Sequence, residues 1–300
     1  MKSGIVIVNK DEGISSQGVV NRVKRLFGEK KAGHTGTLDP LATGVLPVLL
    51  GRAVKASEYM LTSDKHYIAT MLLGLETDTE DITGNVLNQC SVIPSEEDVA
   101  AAVLSMLGDS MQTPPMYSAL KVDGKKLYEL ARAGKVIERE ARKITIHSIK
   151  CEKQNEREYK LEVECSKGTY IRTLCADIGK KLGCGAVMKA LTRASASGFT
   201  LNDSHTLSEL EKMDSPELEK LILPIQTIFK NERHLTLSPF FARLASCGVE
   251  IYLDKINFSA NIGERVALFN ENGFFALGEV RAFDKGLAIK PIKQFDIKEV

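Results

Sequence analysis

Residues 33–44 bring flexible glycines, a rigid proline and a single carboxylate together in one short segment. They read Gly33-His34-Thr35-Gly36-Thr37-Leu38-Asp39-Pro40-Leu41-Ala42-Thr43-Gly44. Glycine lets a backbone turn tightly or approach a ligand, and Pro40 stiffens the chain after Asp39. Asp39 is thereby held between apolar neighbours, where a carboxylate is costly unless it is paired. Two interpretations stay open: a catalytic carboxylate, or an aspartate that begins a turn.

A phosphate-binding P-loop is excluded for this segment, because no Gly-Lys-Ser/Thr sequence ends it. The elements before it must hold it in place. Residues 5–8 are a continuous apolar run, which predicts a buried strand. Ser15 or Ser16 then caps a helix that continues to Gly28, because its apolar residues recur at helical spacing. Residues 30–47 have no such periodicity and predict a long, packed loop of the kind that is often functional.

The later elements carry further candidate residues. Alternating patterns predict a strand over residues 65–73 and a hairpin from residues 142–153 and 159–165. Helical patterns predict helices from Ser95 to Gly108, over residues 125–133 and 170–182, and through the acidic stretch 207–220. From residue 235 onward the pattern changes to short β-type runs punctuated by glycines. We therefore expect two domains, residues 1–230 and a small β-rich domain over residues 231–300.

Composition excludes several classes of protein. The 300-residue chain is 43% hydrophobic and 26% charged, as in soluble globular proteins, and its longest apolar run is too short to span a membrane. The short apolar N-terminus is unlike a signal peptide, which predicts a cytoplasmic protein. The six cysteines include no Cys-x-x-Cys pair, so neither a zinc site nor a disulfide framework is expected.

Charge is unevenly distributed although the net charge is only +1. Residues 1–60 contain 9 basic and 5 acidic side chains, whereas residues 61–100 contain 1 and 8. A basic face opposite an acidic one would suffice for phosphate contact. The charge pattern therefore permits RNA binding without establishing it.

Six segments together resemble the TruB family of tRNA pseudouridine synthases. The loop at residues 33–44 matches the family's signature loop, and the others match in order at residues 9–16, 63–67, 77–81, 113–121 and 166–174. The C-terminal segment resembles the family's PUA domain more loosely. Two departures are visible: Asp11 replaces the usual proline after Lys10, and His66 stands where many relatives have arginine.

The resemblance implies the reaction and its catalytic residues. The C1′–N1 bond of a uridine is broken, and the uracil turns and is rejoined through C5; this isomerisation requires no cofactor and no metal. Asp39 is the implied essential carboxylate, with Arg172 as the partner that keeps it charged and oriented. Tyr67 would stack on the uracil and help to remove the C5 proton. By pattern alone, the favoured interpretation of Arg172 is an exposed arginine in the first turn of a helix, and Tyr67 is a core tyrosine.

The resemblance also implies substrate contacts. The partner is the T-arm stem-loop of tRNA, whose uridine must be extruded before it reacts. His34 would occupy the space that this uridine leaves, and Leu191 would line the uracil pocket, with Gly36 and Tyr170 as further substrate contacts. Basic side chains would meet phosphates: Lys10, Lys121, Lys125, Lys126 and Arg142, and in the C-terminal domain Arg281, Lys285, Lys290 and Lys293.

For the fold we predict an α+β catalytic domain around a mixed, mostly antiparallel sheet with flanking helices, plus a small PUA-like domain. The protein is expected to be a monomer that needs no protein partner and no membrane. Two rival functions stay open. One is an RNA-folding protein with an idle catalytic centre, which would bind RNA without converting it. The other is a glycoside-cleaving hydrolase, which would release free uracil.

Overall fold

The structure is a computed structural model, and it describes residues 2–61, 63–122 and 124–295. These residues form nineteen strands, which run in chain order as follows: β1 (Gly4–Lys10), β2 (Ala32–His34), β3 (Thr43–Leu50), β4 (Lys65–Leu73), β5 (Leu75–Thr77), β6 (Val86–Gln89), β7 (Gly108–Gln112), β8 (Lys121–Val122), β9 (Lys125–Lys126), β10 (Arg142–Lys153), β11 (Glu158–Cys165), β12 (Ala186–Ala196), β13 (Phe199–Thr200), β14 (His205–Thr206), β15 (Arg233–Thr236), β16 (Ile251–Tyr252), β17 (Arg265–Asn270), β18 (Gly273–Phe283) and β19 (Gly286–Gln294).

The same residues form eight α-helices, which are α1 (Ser16–Leu26), α2 (Ser57–Met60), α3 (Glu96–Leu104), α4 (Leu127–Arg132), α5 (Ile171–Leu182), α6 (Leu207–Leu210), α7 (Ser215–Lys220) and α8 (Pro239–Ser246). Short 3-10 turns occupy Gly51–Ala56, Leu201–Asp203, Ile225–Phe229 and Leu253–Lys255.

A ten-stranded mixed sheet forms the larger part of the described chain. Its strand order is β14-β1-β3-β12-β4-β11-β10-β7, with β2 beside β3 and β13 beside β12. The pairs β1–β14 and β3–β12 are parallel and the other pairs are antiparallel. The predicted α+β class and its mixed, mostly antiparallel sheet are confirmed.

The centre of this sheet is buried on both faces. In β1 and β3, successive side chains point to opposite faces, so their nearly continuous apolar sequences supply two cores at once. Val6 and Val8 pack into the core beneath α1 and α5, whereas Ile5 and Ile7 pack into a second cluster on the other face. The loop between β2 and β3 therefore rises from a rigid support.

Two helices flank the sheet where the predictions placed them. Ser15 caps α1 by accepting a hydrogen bond from the Gly18 amide, and Val19, Val20 and Val23 form its buried face. Helix α5 ends at Gly183, whose φ of 73° is the left-handed conformation that glycine adopts at low cost.

Three predicted boundaries are wrong. Residues 30–47 are not one long loop, because β2 pairs with β3 and only residues 30–31 and 35–42 stay irregular. The helix from Ser95 ends at Leu104 rather than Gly108, which begins an edge strand instead. The stretch 207–220 is two helices, because Asp214 and Glu217 form a new capping box that starts α7.

The strands from Arg233 onward form a separate five-stranded sheet in the order β15-β17-β18-β19-β16, with its own apolar core. An aromatic cluster joins this sheet to the residues that follow β3. Phe229, Phe274 and Phe295 lie with ring centroids 5.3–5.6 Å apart, and Tyr59 packs edge-on against Phe229. The predicted β-rich C-terminal domain is therefore present and packed against the larger one.

Candidate active site

The irregular segment between β2 and β3 is fixed from below by the β1–α1 connection. Ser16 Oγ donates to the Leu38 carbonyl at 2.9 Å and accepts from the Leu38 amide at 2.8 Å. The Gly13 amide donates to the Pro40 carbonyl at 2.8 Å. These contacts hold the chain on both sides of Asp39, so its carboxylate has a defined position above the sheet.

Arg172 grips this carboxylate with two nitrogens. Its Nε lies 3.0 Å from Asp39 Oδ2, and its Nη2 donates to Asp39 Oδ1 at 3.3 Å. The same guanidinium donates to the carbonyls of Tyr117 at 2.7 Å and Thr79 at 3.1 Å. The Arg172 side chain is only 5% exposed, so it is not the exposed first-turn arginine that its helical position alone would allow. The two-point geometry orients Asp39 as well as pairing it.

A second carboxylate, which the sequence did not single out as a site residue, lies behind the guanidinium. Asp81 Oδ2 is 3.6 Å from Arg172 Nη1, and its side chain is 7% exposed. The other oxygen of Asp81 accepts hydrogen bonds from the Thr79 hydroxyl and from the amide and hydroxyl of Thr83. Segment 77–81 matched the family by sequence, but only the fold shows that one of its aspartates reaches Arg172.

Opposing effects act on the ionisation of Asp39. Burial raises the pKa of the Asp39 carboxyl, and the neighbouring Asp81 raises it further, whereas Arg172 and Lys10 lower it. Burial is the largest of these effects, so the pKa of Asp39 lies above its ordinary value even with the guanidinium in place. Raised carboxyl pKa values are typical of active-site groups.

Tyr67 lies in the middle of β4 and is 7% exposed. Its neighbour across the sheet in β12 is Arg193, and its pKa is raised by burial while Arg193 opposes that effect with its charge and a hydrogen bond. Arg193 is 1% exposed and was not among the predicted site residues. Its only sequence signal is a charge in a strand of mostly small and apolar residues, and such a charge does not reveal burial, since Lys189 in the same strand is exposed.

These residues surround one open cavity of about 470 Å³. Asp39, Arg172 and Tyr67 line it, as do Leu191, Gly36 and Tyr170. Six of the eight predicted site residues therefore share a single cavity, which is large enough for a nucleoside and typical in volume of ligand sites. Lys65, Arg193 and residues 118–120 also line it.

Two predicted residues lie outside this cavity lining. Lys10 is fully buried, and its Nζ donates to the carbonyls of Asp11 at 2.8 Å and Pro40 at 3.3 Å. The expectation that it meets a phosphate at the surface is not met, because the side chain supports the Asp39 loop from beneath. His34 ends β2, its Nδ1 is buried without a hydrogen-bond partner, and burial lowers its pKa.

The basic residues expected at phosphates differ in their surroundings. Lys125 and Arg142 are exposed, whereas the side chains of Lys121 and Lys126 lie outside the described part of the structure. In the C-terminal domain, Lys285 is exposed. Three of its other cations are engaged in ion pairs, which are Arg281 with Glu279, Lys290 with Glu250 and Lys293 with Glu58.

Within residues 2–61, 63–122 and 124–295, no group of three or more histidine, cysteine, aspartate or glutamate side chains is arranged to hold a metal ion. None of the helices in this part of the chain is both long and apolar enough to cross a membrane.

Comparison with solved structures first defines the class of fold. The Cbf5 complex with Nop10 and Gar1 superposes with a TM-score of 0.73 over 99% of this chain and 86% of the other, at 24% sequence identity. An H/ACA ribonucleoprotein bound to a substrate RNA containing 2′-deoxyuridine gives a TM-score of 0.72. At these identities the likeness establishes the fold alone.

Sequence comparison then defines the family. Residues 24–171 match the model of the TruB family pseudouridylate synthase N-terminal domain, and residues 172–230 match the tRNA pseudouridylate synthase B C-terminal domain. The tRNA pseudouridine synthase B of Alkaliphilus oremlandii is 42% identical over 94% of both chains, and that of Methylobacillus flagellatus is 40% identical over 92% of this chain and 90% of its own. This chain belongs to the TruB family of pseudouridylate synthases. The predicted family and enzyme class, an isomerase, are thereby confirmed.

Proposed function

We propose that this protein converts the T-loop uridine of tRNA into pseudouridine, with Asp39 as the reacting carboxylate. The observation that carries the proposal is the two-point pairing of Asp39 with a buried arginine inside a cavity that also presents Tyr67. A carboxylate held in one orientation beside bound uridine can act at the C1′–N1 bond. The relatives at about 40% identity are tRNA enzymes by name, which supports the choice of substrate.

Each residue has a task that follows from its chemistry. Arg172 keeps Asp39 ionised against the effect of burial, so that the carboxylate can attack or remove a proton. Tyr67 presents an aromatic ring to the uracil, and stacking of a base on such a ring is worth about 1–3 kcal/mol. Leu191 supplies an apolar wall on the opposite strand, and Gly36 leaves room for the base because it has no side chain.

RNA binding must extrude the target uridine, at a cost of a few kcal/mol. We assign His34 to the space that the uridine leaves: an uncharged imidazole with an unused nitrogen suits a position among bases. Tyr170, beside the Arg172 helix, contacts the extruded nucleotide. Residues 231–300 act as a PUA-like domain that extends the grip along the RNA. We further propose that the protein works as a monomer in the cytoplasm, where tRNA is found.

The test uses an unmodified T-arm stem-loop transcript with wild-type protein, Asp39→Asn and a control, Asp109→Asn. Asp109 is an exposed aspartate on edge strand β7, paired with Lys143, so its loss should leave catalysis intact. Pseudouridine is mapped by chemical labelling and reverse transcription, and RNA binding is measured in parallel. We expect wild type and Asp109→Asn to convert the uridine, and Asp39→Asn to bind without converting it.

Other results would support the rival functions. If wild type binds the stem-loop but leaves the uridine unchanged, the protein folds RNA and the catalytic assignment fails. If free uracil accumulates, the protein is a hydrolase. Full activity of Asp39→Asn would remove that carboxylate from the reaction.

A further inference from the structure

Arg193 is an internal cation that the proposed chemistry has not yet used. It lies in β12 directly opposite Tyr67 in β4, and residues opposite one another in an antiparallel pair project from the same face of the sheet. With 1% of its surface exposed, it is the largest of the fully buried side chains. Burying a charge so deeply is costly unless its surroundings compensate for it.

The compensation comes from three oxygens on three elements. Arg193 Nε donates to the Val45 carbonyl in β3 at 2.8 Å, and Nη2 donates to the Gly36 carbonyl at 3.1 Å. The Tyr67 phenol faces the guanidinium from β4, and Arg193 acts through charge and hydrogen bonding to lower the pKa of Tyr67. None of these partners, which all lie in the described part of the chain, carries a charge. The positive charge of the guanidinium next to the phenol is therefore not neutralised by an ion pair with any of these partners.

In its hydrogen bond with Tyr67, Arg193 can only be the donor. A guanidinium has donors only, so the phenol oxygen must accept and its own proton must point elsewhere. A cation beside the oxygen also favours the deprotonated phenol over the neutral one. The other groups that act on Tyr67 are Cys165 and Asp39, both of which disfavour the phenolate. Arg193 is the group that acts in its favour.

Arg193 also connects the two halves of the site. Gly36 precedes Asp39 by three residues on the same loop, and Tyr67 lies on a different strand. Because one rigid guanidinium binds both, it fixes the distance between the loop that bears the carboxylate and the strand that bears the phenol. A lysine could not reproduce this geometry, since its ammonium is a point charge without the planar fork.

We propose that Arg193 is a positioning residue that holds the Tyr67 oxygen as the acceptor of the uracil C5 proton. The inference rests on the proposed function. Before this step, the bond between C1′ and N1 of uracil has broken and a bond between C1′ and C5 has formed. The C5–H bond then breaks, its electron pair restores the C5–C6 double bond of the ring, and the proton passes to the Tyr67 oxygen, which gives up its own hydroxyl proton to solvent in the same step. N1 takes up one proton from solvent, so the reaction stays an isomerisation.

The experiment compares single-turnover rates on T-arm stem-loops that carry either hydrogen or deuterium at C5 of the target uridine. The variants are Arg193→Met, Arg193→Lys and, as a control on the same strand, Lys189→Met. Lys189 is 45% exposed and pairs with Glu158 at the surface. We expect Arg193→Met to react about 100-fold more slowly, which is the usual scale for loss of acid–base assistance, and to react measurably more slowly with deuterium. Arg193→Lys should react at a rate between those of Arg193→Met and wild type, and Lys189→Met should react at the wild-type rate.

The outcomes separate this inference from the proposed function. If wild type forms no pseudouridine, the proposed function itself fails. If wild type is active and Arg193→Met is slow but reacts equally fast with both isotopes, Arg193 only supports the loop and the inference is overturned. A rate within twofold of wild type overturns it as well. Should Arg193→Met fail to fold, the isotope comparison for Arg193→Lys decides by the same criteria.

Discussion

Replacement of Arg172 by methionine tests whether the two carboxylates depend on a single cation. Methionine keeps an unbranched chain of similar reach but removes all the donors. Asp81 would be left as a buried carboxylate without its ion-pair partner, and the carbonyls of Thr79 and Tyr117 would lose their hydrogen bonds. Breaking one side of a buried ion pair typically costs about 3–5 kcal/mol. The Asp39 side chain is 35% exposed, so solvent screens the loss of its ion pair with Arg172. Most of the cost in stability therefore arises at Asp81.

The loss of stability should depend on pH. Arg172 lowers the pKa of Asp39, which burial and Asp81 raise, so its removal raises that pKa further. A carboxyl whose pKa is higher in the folded than in the unfolded state binds more protons when folded. The folded state is then destabilised increasingly as pH rises above about 3.9, the pKa of an aspartate carboxyl in the unfolded chain. We expect the difference in unfolding free energy between wild type and Arg172→Met to be smaller at pH 5 than at pH 8.

The assay is equilibrium urea unfolding at pH 5, 6.5 and 8, with Arg22→Met as the matched control. Arg22 forms an exposed pair with Glu211 at 3.6 Å, and such pairs contribute about 0–1 kcal/mol. Conversion of the stem-loop should fall at least about 100-fold in Arg172→Met, because Asp39 loses its orientation. The reasoning is refuted if Arg172→Met is no less stable than Arg22→Met, or if its deficit is the same at all three pH values.

Two further substitutions probe the same cavity. Asp81→Asn removes a like charge that raises the pKa of Asp39, so the low-pH limb of a kcat/KM profile should move to lower pH; a shift to higher pH would contradict this. Gly36→Ala should cost about 1–2 kcal/mol of stability, because φ is +79° there, and should slow conversion because the new Cβ lies 3.3 Å from Arg193 Nη1. The control Gly198→Ala has the same φ and no atom within 4 Å, so denaturant unfolding should show a similar loss of stability while conversion keeps its wild-type rate.

Side-chain periodicity predicted the elements whose burial follows a simple pattern. Strand β4 was predicted with its observed bounds, because every second side chain from Tyr67 onward is buried. The β10–β11 hairpin was predicted for the same reason. Strand β2 was missed because it has only three residues and is defined by backbone pairing with β3, which leaves no trace in the side-chain pattern.

The residues of the site also differ in whether they could be predicted from the sequence. Asp39, Arg172 and Tyr67 were found through resemblance to a family rather than through spacing, since each has an ordinary structural role by pattern alone. Asp81 and Arg193 were not found, because a charged residue in sequence gives no sign of burial. Their roles depend on which strands are neighbours and in which register, and that information exists only in the folded chain.

The buried ammonium of Lys10 shows that the loop around Asp39 is held at the expense of stability. Burial lowers the pKa of Lys10 from 10.5 to about 8, a difference that corresponds to about 3 kcal/mol of unfavourable free energy while the folded protein keeps it charged at neutral pH. The unfolded chain binds more protons than the folded one between these two values, so this group makes the fold more stable as the solution becomes alkaline. Lys10→Met should therefore be the more stable protein at pH 7 and lose that advantage towards pH 10 in urea unfolding, and an advantage independent of pH would contradict this origin. The same ammonium lowers the pKa of Asp39, so the charge that destabilises the fold also favours the ionised carboxylate.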